Sequence, residues 1–159
     1  MPFLFTDGCR EILRGKYMKG RIMEIKTYRQ FSVFLENKVG ALAELCKLIS
    51  DRSINLLAVC AIDTIEEAVL RIVAEDEVGT LEVLKGAGFQ PVETEVFLLE
   101  LDNVPGATGR MATWLANSGV NIDYVYASSH PSGKKTHLVL RTHQVAKAKK
   151  ILKAGSRYD

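Results

Sequence analysis

Leu35-Glu36-Asn37-Lys38-Val39-Gly40-Ala41 returns, at an offset of 66 positions, as Leu101-Asp102-Asn103-Val104-Pro105-Gly106-Ala107. Ser53-Ile54-Asn55-Leu56 returns at the same offset as Gly119-Val120-Asn121-Ile122. Val59 then meets Val125, and Ala61 meets Ala127. An ungapped self-match at one offset marks a duplicated supersecondary unit. The recurring residues include two Asn and one Gly, which are not core-forming types. Both copies therefore use the same backbone device.

Working outward, each copy of the motif joins a strand to a helix. Phe31–Leu35 is β-rich, and Glu36–Gly40 reads as a turn. From Ala41 to Arg52, Leu42, Leu45, Cys46 and Ile49 fall at helical spacing, with Glu44, Lys47 and Asp51 opposite. Asn55–Ile62 and Ala68–Val73 read as strands joined tightly over Asp63–Glu66. A helix over Glu75–Ala87 presents Val78, Leu81 and Leu84 and stops at Gly86 and Gly88. Phe89–Glu93 supplies a fourth strand. The second copy reads as strand Val96–Leu101, helix Ala107–Asn117, strand Asn121–Ser128, strand Thr136–Thr142 and helix Val145–Ala154. Met111, Trp114 and Leu115 lie on the buried side of its first helix. No fourth strand is legible after it. The run Phe89–Leu101 closes one unit and opens the next with almost no linker.

A βαββαβ order is the split-βαβ plait, with both helices on one face of an antiparallel sheet. The fold expected is α+β: two ferredoxin-like units packed side by side, over residues 23–94 and 95–159. Within the first unit we expect the third and fourth strands to pair. Residues 1–22 fit neither repeat and read as an N-terminal extension outside the fold, with a short helix over Cys9–Tyr17. Met23, just before the first strand pattern, is a candidate natural start.

The chain has 159 residues, 47% hydrophobic and 25% charged, an ordinary globular composition. Its net charge of +2 comes from residues 1–22, where Arg10, Arg14, Lys16, Lys19 and Arg21 outweigh Asp7 and Glu11. The repeated part is near neutral and gives no electrostatic reason to expect nucleic acid. Cys9, Cys46 and Cys60 are odd in number and lack metal-type spacing, which points to a reducing compartment. No stretch approaches the roughly 18 apolar residues of a membrane span. Charges interrupt the N-terminus before a signal-peptide core can form. We expect a cytoplasmic protein without membrane association, metal or cofactor.

The arrangement of strand, Asn37 and Gly40, helix, then Ile54-Asn55-Leu56 resembles the ACT domain. So does the second set, Asn103, Pro105, Gly106 and Val120-Asn121-Ile122. The resemblance covers about residues 28–155, and is to small bacterial proteins made of two ACT domains. It implies a non-catalytic regulatory protein that binds a free amino acid at interfaces between paired domains. It also implies a partner enzyme of amino-acid metabolism; a homodimer is expected because two small plaits leave sheet surface uncovered. The implied ligand-binding residues are Asn103, Pro105, Gly106, Ala107 and Asn121, with Asn37, Gly40 and Asn55 in the first copy. One departure bears on the effector. In the serine-binding ACT domains of phosphoglycerate dehydrogenase a His stands two positions before the Asn, where this chain has Leu35 and Leu101.

Chemistry gives the same residues a role independently of the family. Gly permits positive φ and close approach of a ligand. The amides that follow open a helix, where a carboxylate is favoured. Asn offers both a donor and an acceptor, as a zwitterion requires. Asn55 and Asn121, opening the next strand, are expected to bring a second amide to the same end of the sheet. The competing reading is that Asn and Gly serve only the turn and the helix cap. The second copy is favoured as the site because Pro105 stiffens its loop, where the first has Val39. Tyr124 and Tyr126 share a strand face and read as packing residues. Trp114, Cys46 and Cys60 read as core, and His130, His137 and His143 as solvent-facing. Lys147, Lys149, Lys150 and Lys153 form a solvated helix face. The alternatives are an interaction module without ligand, or a small enzyme on the same plait. The second lacks an evident nucleophile, poised acid–base pair or metal cluster.

Overall fold

A computed structural model describes residues 20–63 and 67–155. The extension expected over residues 1–22 except its last three positions, the turn over 64–66 and the tail after Gly155 lie outside the described residues. Six strands and four helices alternate: β1 (Ile22–Glu36), α1 (Ala41–Ser50), β2 (Leu56–Asp63), β3 (Glu67–Ala74), α2 (Glu77–Gly86), β4 (Val92–Asp102), α3 (Ala107–Asn117), β5 (Tyr124–Ser129), β6 (Lys135–Arg141) and α4 (Val145–Gly155). The hydrogen-bonded strand order is β2-β3-β1-β4-β6-β5. The chain divides into two compact units. The first is Thr27–Val96; the second joins Phe97 onward to the chain up to Lys26.

In the first unit, β3 pairs antiparallel with β1 and β2, with Phe31 opposite Ile72, Val33 opposite Leu70 and Val59 opposite Ile72. Alternation puts Phe31, Val33 and Leu35 on one face, where they meet Leu45 and Ile49 of α1 and Val83 and Leu84 of α2. Both helices thus cover the same sheet face, and each fully buried Leu or Ile contributes about 1.5–3 kcal/mol. The opposite face carries a lateral row, Phe34, Val69 and Ile62, in register across three strands. Phe34 and Ile62 of that row are exposed.

The third and fourth strands do not pair, contrary to expectation. β1 lies between β3 and β4, because both βαβ crossovers must run over the helix-covered face and the first strand is left in the middle. Two helix faces also differ. Leu42, in the first turn of α1, and Val78, in the first turn of α2, are exposed, while Thr80 turns inward and donates its hydroxyl to the Asp76 carbonyl at 2.6 Å. The Asp76 carboxylate caps α2 by accepting from the Gly79 N–H at 2.9 Å.

The second unit repeats the plan. Phe97 faces Leu140 and Leu99 faces Leu138 across β4 and β6, and these pack on Met111 and Leu115 of α3 and Ala148 and Leu152 of α4. Trp114 is half-buried against this core, with the Arg110 guanidinium 4.8 Å from its ring centre. The fourth strand, not legible at the C-terminal end, comes from the other end of the chain. Ile22 is buried in the same core, and the Arg21 and Asp102 backbones are joined at 3.0 Å. The chain crosses from one unit to the other inside β1 and again inside β4. Residues 23–26, read from the sequence as opening the first repeat, therefore group with the second.

Candidate functional site

The duplicated loop is the same object twice, bond for bond. In the first copy Lys38 N–H donates to Glu36 O at 2.9 Å, Ala41 N–H to Lys38 O at 3.3 Å, and Glu44 N–H to Gly40 O at 2.9 Å. In the second, Val104 donates to Asp102 at 3.0 Å, Ala107 to Val104 at 3.2 Å, and Arg110 to Gly106 at 2.8 Å. Gly40 (φ 94°, ψ −16°) and Gly106 (φ 92°, ψ −11°) occupy the N-cap positions of α1 and α3 in left-handed conformation. A Cβ would be strained there, which explains why glycine recurs. Neither helix start is capped by a side chain, so each unit has a helix N-terminus without a side-chain cap.

The side chains around the two loops differ. Asn103 is committed to its own fold. Its Nδ2 donates to the carbonyls of His130 (2.9 Å) and Gly133 (2.8 Å), and its Oδ1 accepts from the Thr136 hydroxyl at 3.1 Å. Its backbone N–H donates to Lys134 O at 3.0 Å. This residue braces the β5–β6 turn. Asn37 is exposed, as are Pro105 and Gly106, while Ala107 is buried. The Lys38 ammonium lies 2.9 Å from Glu36 Oε2. That hydrogen bond, with the carboxylate's charge, raises the Lys38 pKa above its ordinary value.

Asn55 and Asn121 do not join these loops. Asn121 sits beyond the Tyr124–Arg141 pair, with its N–H donating to Gln144 Oε1 at 3.0 Å. Asn103 sits at the Thr136 end of β6. Residues 136 and 141 alone are about 17 Å apart along a strand. In the first unit Asn55 O accepts from Glu75 N–H just past β3, while Glu36 pairs with Glu67 at its start. The reason is topological. A helix after a strand returns the chain to the end where that strand began, so the next strand opens at the far end of the sheet. Convergence of the two Asn pairs is thus corrected for each unit taken alone.

Sequence reading missed a cleft of about 350 Å³ in the first unit, at the mouth of the Asn37–Ala41 loop. Leu35, Leu45, Leu48 and Phe89 give it apolar walls, and Lys38, Glu36 and Glu44 give it one positive and two negative charges. The exposed Val39 and the half-buried Phe89 could have hinted at it, but no spacing rule joins residues 38 and 89. The other polar clusters pair internally. Arg29 meets Glu77 and Glu93; His137 and Lys135 meet Glu100; His143 meets Asp123. The exposed His130 ring and Ser132 hydroxyl, 2.8 Å apart, lie within one turn. Among the described residues no group of three or more His, Cys, Asp or Glu could hold a metal, and no helix is long and apolar enough to cross a membrane.

Two fused ferredoxin-like plaits, each opening its first helix on a left-handed glycine, define a tandem α+β module. The chain belongs to the ACT domain pair family, whose profile matches residues 26–156. Among solved structures it is similar to protein BT0572 from Bacteroides thetaiotaomicron, with 30% identity and a TM-score of 0.76 over 82% of this chain and 89% of that one. It also shares the fold of the aspartate kinase regulatory subunit from Thermus thermophilus in its ligand-free form (12% identity, TM-score 0.61, covering 88% and 99%). The same holds for that subunit from Thermus flavus (13%, 0.58, 85% and 98%). Among curated proteins, no sequence matches this chain.

Proposed function

We propose that this chain is a non-catalytic regulatory protein that binds a free amino acid at one or both of its ACT loops, Asn37–Ala41 and Asn103–Ala107, and whose occupied state is read by a partner enzyme of amino-acid metabolism. The observation that carries this is the bond-for-bond identity of two glycine-gated, uncapped helix starts. An α-carboxylate is the anion such a start favours, and neighbouring carbonyls and carboxylates suit the ammonium. The reading places the protein in the cytoplasm as a homodimer. Support for the dimer comes from the exposed Phe34 and Ile62 beside Val69 on the sheet face away from the helices. A specific interface would bury about 1,000 Å² or more.

A thermal-shift screen of the twenty amino acids tests it. An amino acid at one hundred times its Kd stabilises the fold by about 2.7 kcal/mol, or roughly 5–11 °C for a chain of this size. Lys149→Ala, on the exposed face of α4, leaves that shift in place. The absence of a shift with every amino acid refutes the reading, and light scattering that gives a monomer at tens of micromolar refutes the dimer.

A further inference from the structure

The two loops share one backbone but not one surrounding. Gly20, immediately before β1, has φ +111° and lies against the second loop so closely that a Cβ on it would sit 2.6 Å from the Ala107 Cβ and 3.0 Å from a Val104 methyl. Arg110 Nη1 donates to Gly20 O at 3.3 Å. The next residue is fastened at both ends: Arg21 N–H donates to Asp102 Oδ2 at 2.8 Å, and Arg21 O accepts from Asp102 N–H at 3.0 Å. At the offset of 66, Val104, Ala107 and Arg110 answer to Lys38, Ala41 and Glu44. Those three line the open cleft of the first unit, and a Cβ on Gly40 would meet nothing within 4 Å. What is cleft in one copy is filled by the protein's own backbone in the other.

The charges diverge in the same sense. The first copy sets Lys38, ion-paired at 2.9 Å with the exposed Glu36, and Glu44 around an apolar floor. The second replaces them with an aliphatic residue and a guanidinium already engaged by Gly20 O and the Trp114 ring.

Resting on the proposed amino-acid reading, we infer that the first loop alone is the ligand site, that the second is permanently occupied by Gly20 and Arg21, and that the ligand is an α-amino acid with an apolar side chain. Lys38 would take the carboxylate in exchange for its exposed Glu36 partner, Glu44 the ammonium, and Leu35, Leu45, Leu48 and Phe89 the side chain. This reverses the preference for the second loop that Pro105 suggests from sequence.

Calorimetric titration of the full chain with L-leucine, L-phenylalanine, L-lysine and L-serine tests the inference. Expected are one equivalent of L-leucine or L-phenylalanine per chain, at least tenfold weaker binding after Lys38→Ala, and affinity within twofold of wild type after Arg110→Ala. Lys38 is exposed, so its replacement leaves the far-ultraviolet circular dichroism unchanged. Two equivalents per chain, or binding that survives Lys38→Ala and fails with Arg110→Ala, overturns the inference while the amino-acid reading stands. Tighter binding of L-lysine or L-serine overturns the side-chain class. If none of the twenty amino acids binds, the parent reading fails and takes the inference with it.

Discussion

Replacing Asn103 with Ala, with no amino acid present, separates a bracing residue from a ligand-binding one. The substitution deletes two donated hydrogen bonds and one accepted one. Each contributes a net of about 1 kcal/mol. The bond to His130 O is solvent-exposed, and water replaces much of it, so the expected loss is about 2 kcal/mol. For a chain of this size that lowers Tm by about 4–8 °C. Asn103→Asp is the sharper variant. It keeps an acceptor for Thr136 but points an oxygen at the carbonyls of His130 and Gly133, and so costs at least as much as Ala. Urea denaturation of both variants gives the magnitude, and amide exchange in the β5–β6 turn gives the location. A stability within about 0.5 kcal/mol of wild type for either variant refutes the bracing role and returns Asn103 to the ligand.

Three further outcomes follow from the packing and the charges. Gly155→Ala places a Cβ against the Trp114 ring and should cost about 1–3 kcal/mol by overpacking, with a change in tryptophan fluorescence; an unchanged urea midpoint sinks this. Ile22→Ala removes a fully buried side chain from the second unit's core and should cost about 2–5 kcal/mol; an effect under about 0.5 kcal/mol would show that this strand is dispensable. The Glu100 carboxyl is held below its ordinary pKa of 4.5, first by the Lys135 hydrogen bond. A depressed carboxyl adds stability above the unfolded value that is lost as pH falls through the folded one. Glu100→Gln should therefore be less stable than wild type at pH 7 and converge on it as the pH drops below about 4.5; parallel curves across that range contradict the assignment.

Much of the fold was legible because it rests on local periodicity. The bounds of α3 match the sequence reading, and most other elements shift by one to three residues; β1 starts nine residues before the strand read at Phe31–Leu35, and the strands read at Phe89–Glu93 and Val96–Leu101 are the single β4. Leu45 and Ile49, or Met111 and Leu115, announce a buried stripe by spacing alone. Leu42 and Val78 share that pattern but lie in first helical turns, where the end of the sheet, not the stripe, decides burial. The glycines of the candidate site were legible because only a left-handed residue fits their turn. The partners of Asn103 were not, since a side chain that can cap a helix can equally brace a turn thirty residues away. The cleft at Lys38 and the plug at Gly20 depend on which segments meet in space, which no spacing in the chain encodes.

The strand contributed by Ile22–Lys26 also sets a timetable. Arg21 and Asp102 stand 81 positions apart in the chain, so the earlier segment waits for a partner made much later. At synthesis rates of about 5–20 residues per second the wait is roughly 4–16 s. During it, the first unit can close around its own helices while this stub of extended chain leads out with no neighbour to bond. Closure of so long a loop is intrinsically slow, and until it happens the stub offers a strand edge to any nascent copy on a neighbouring ribosome.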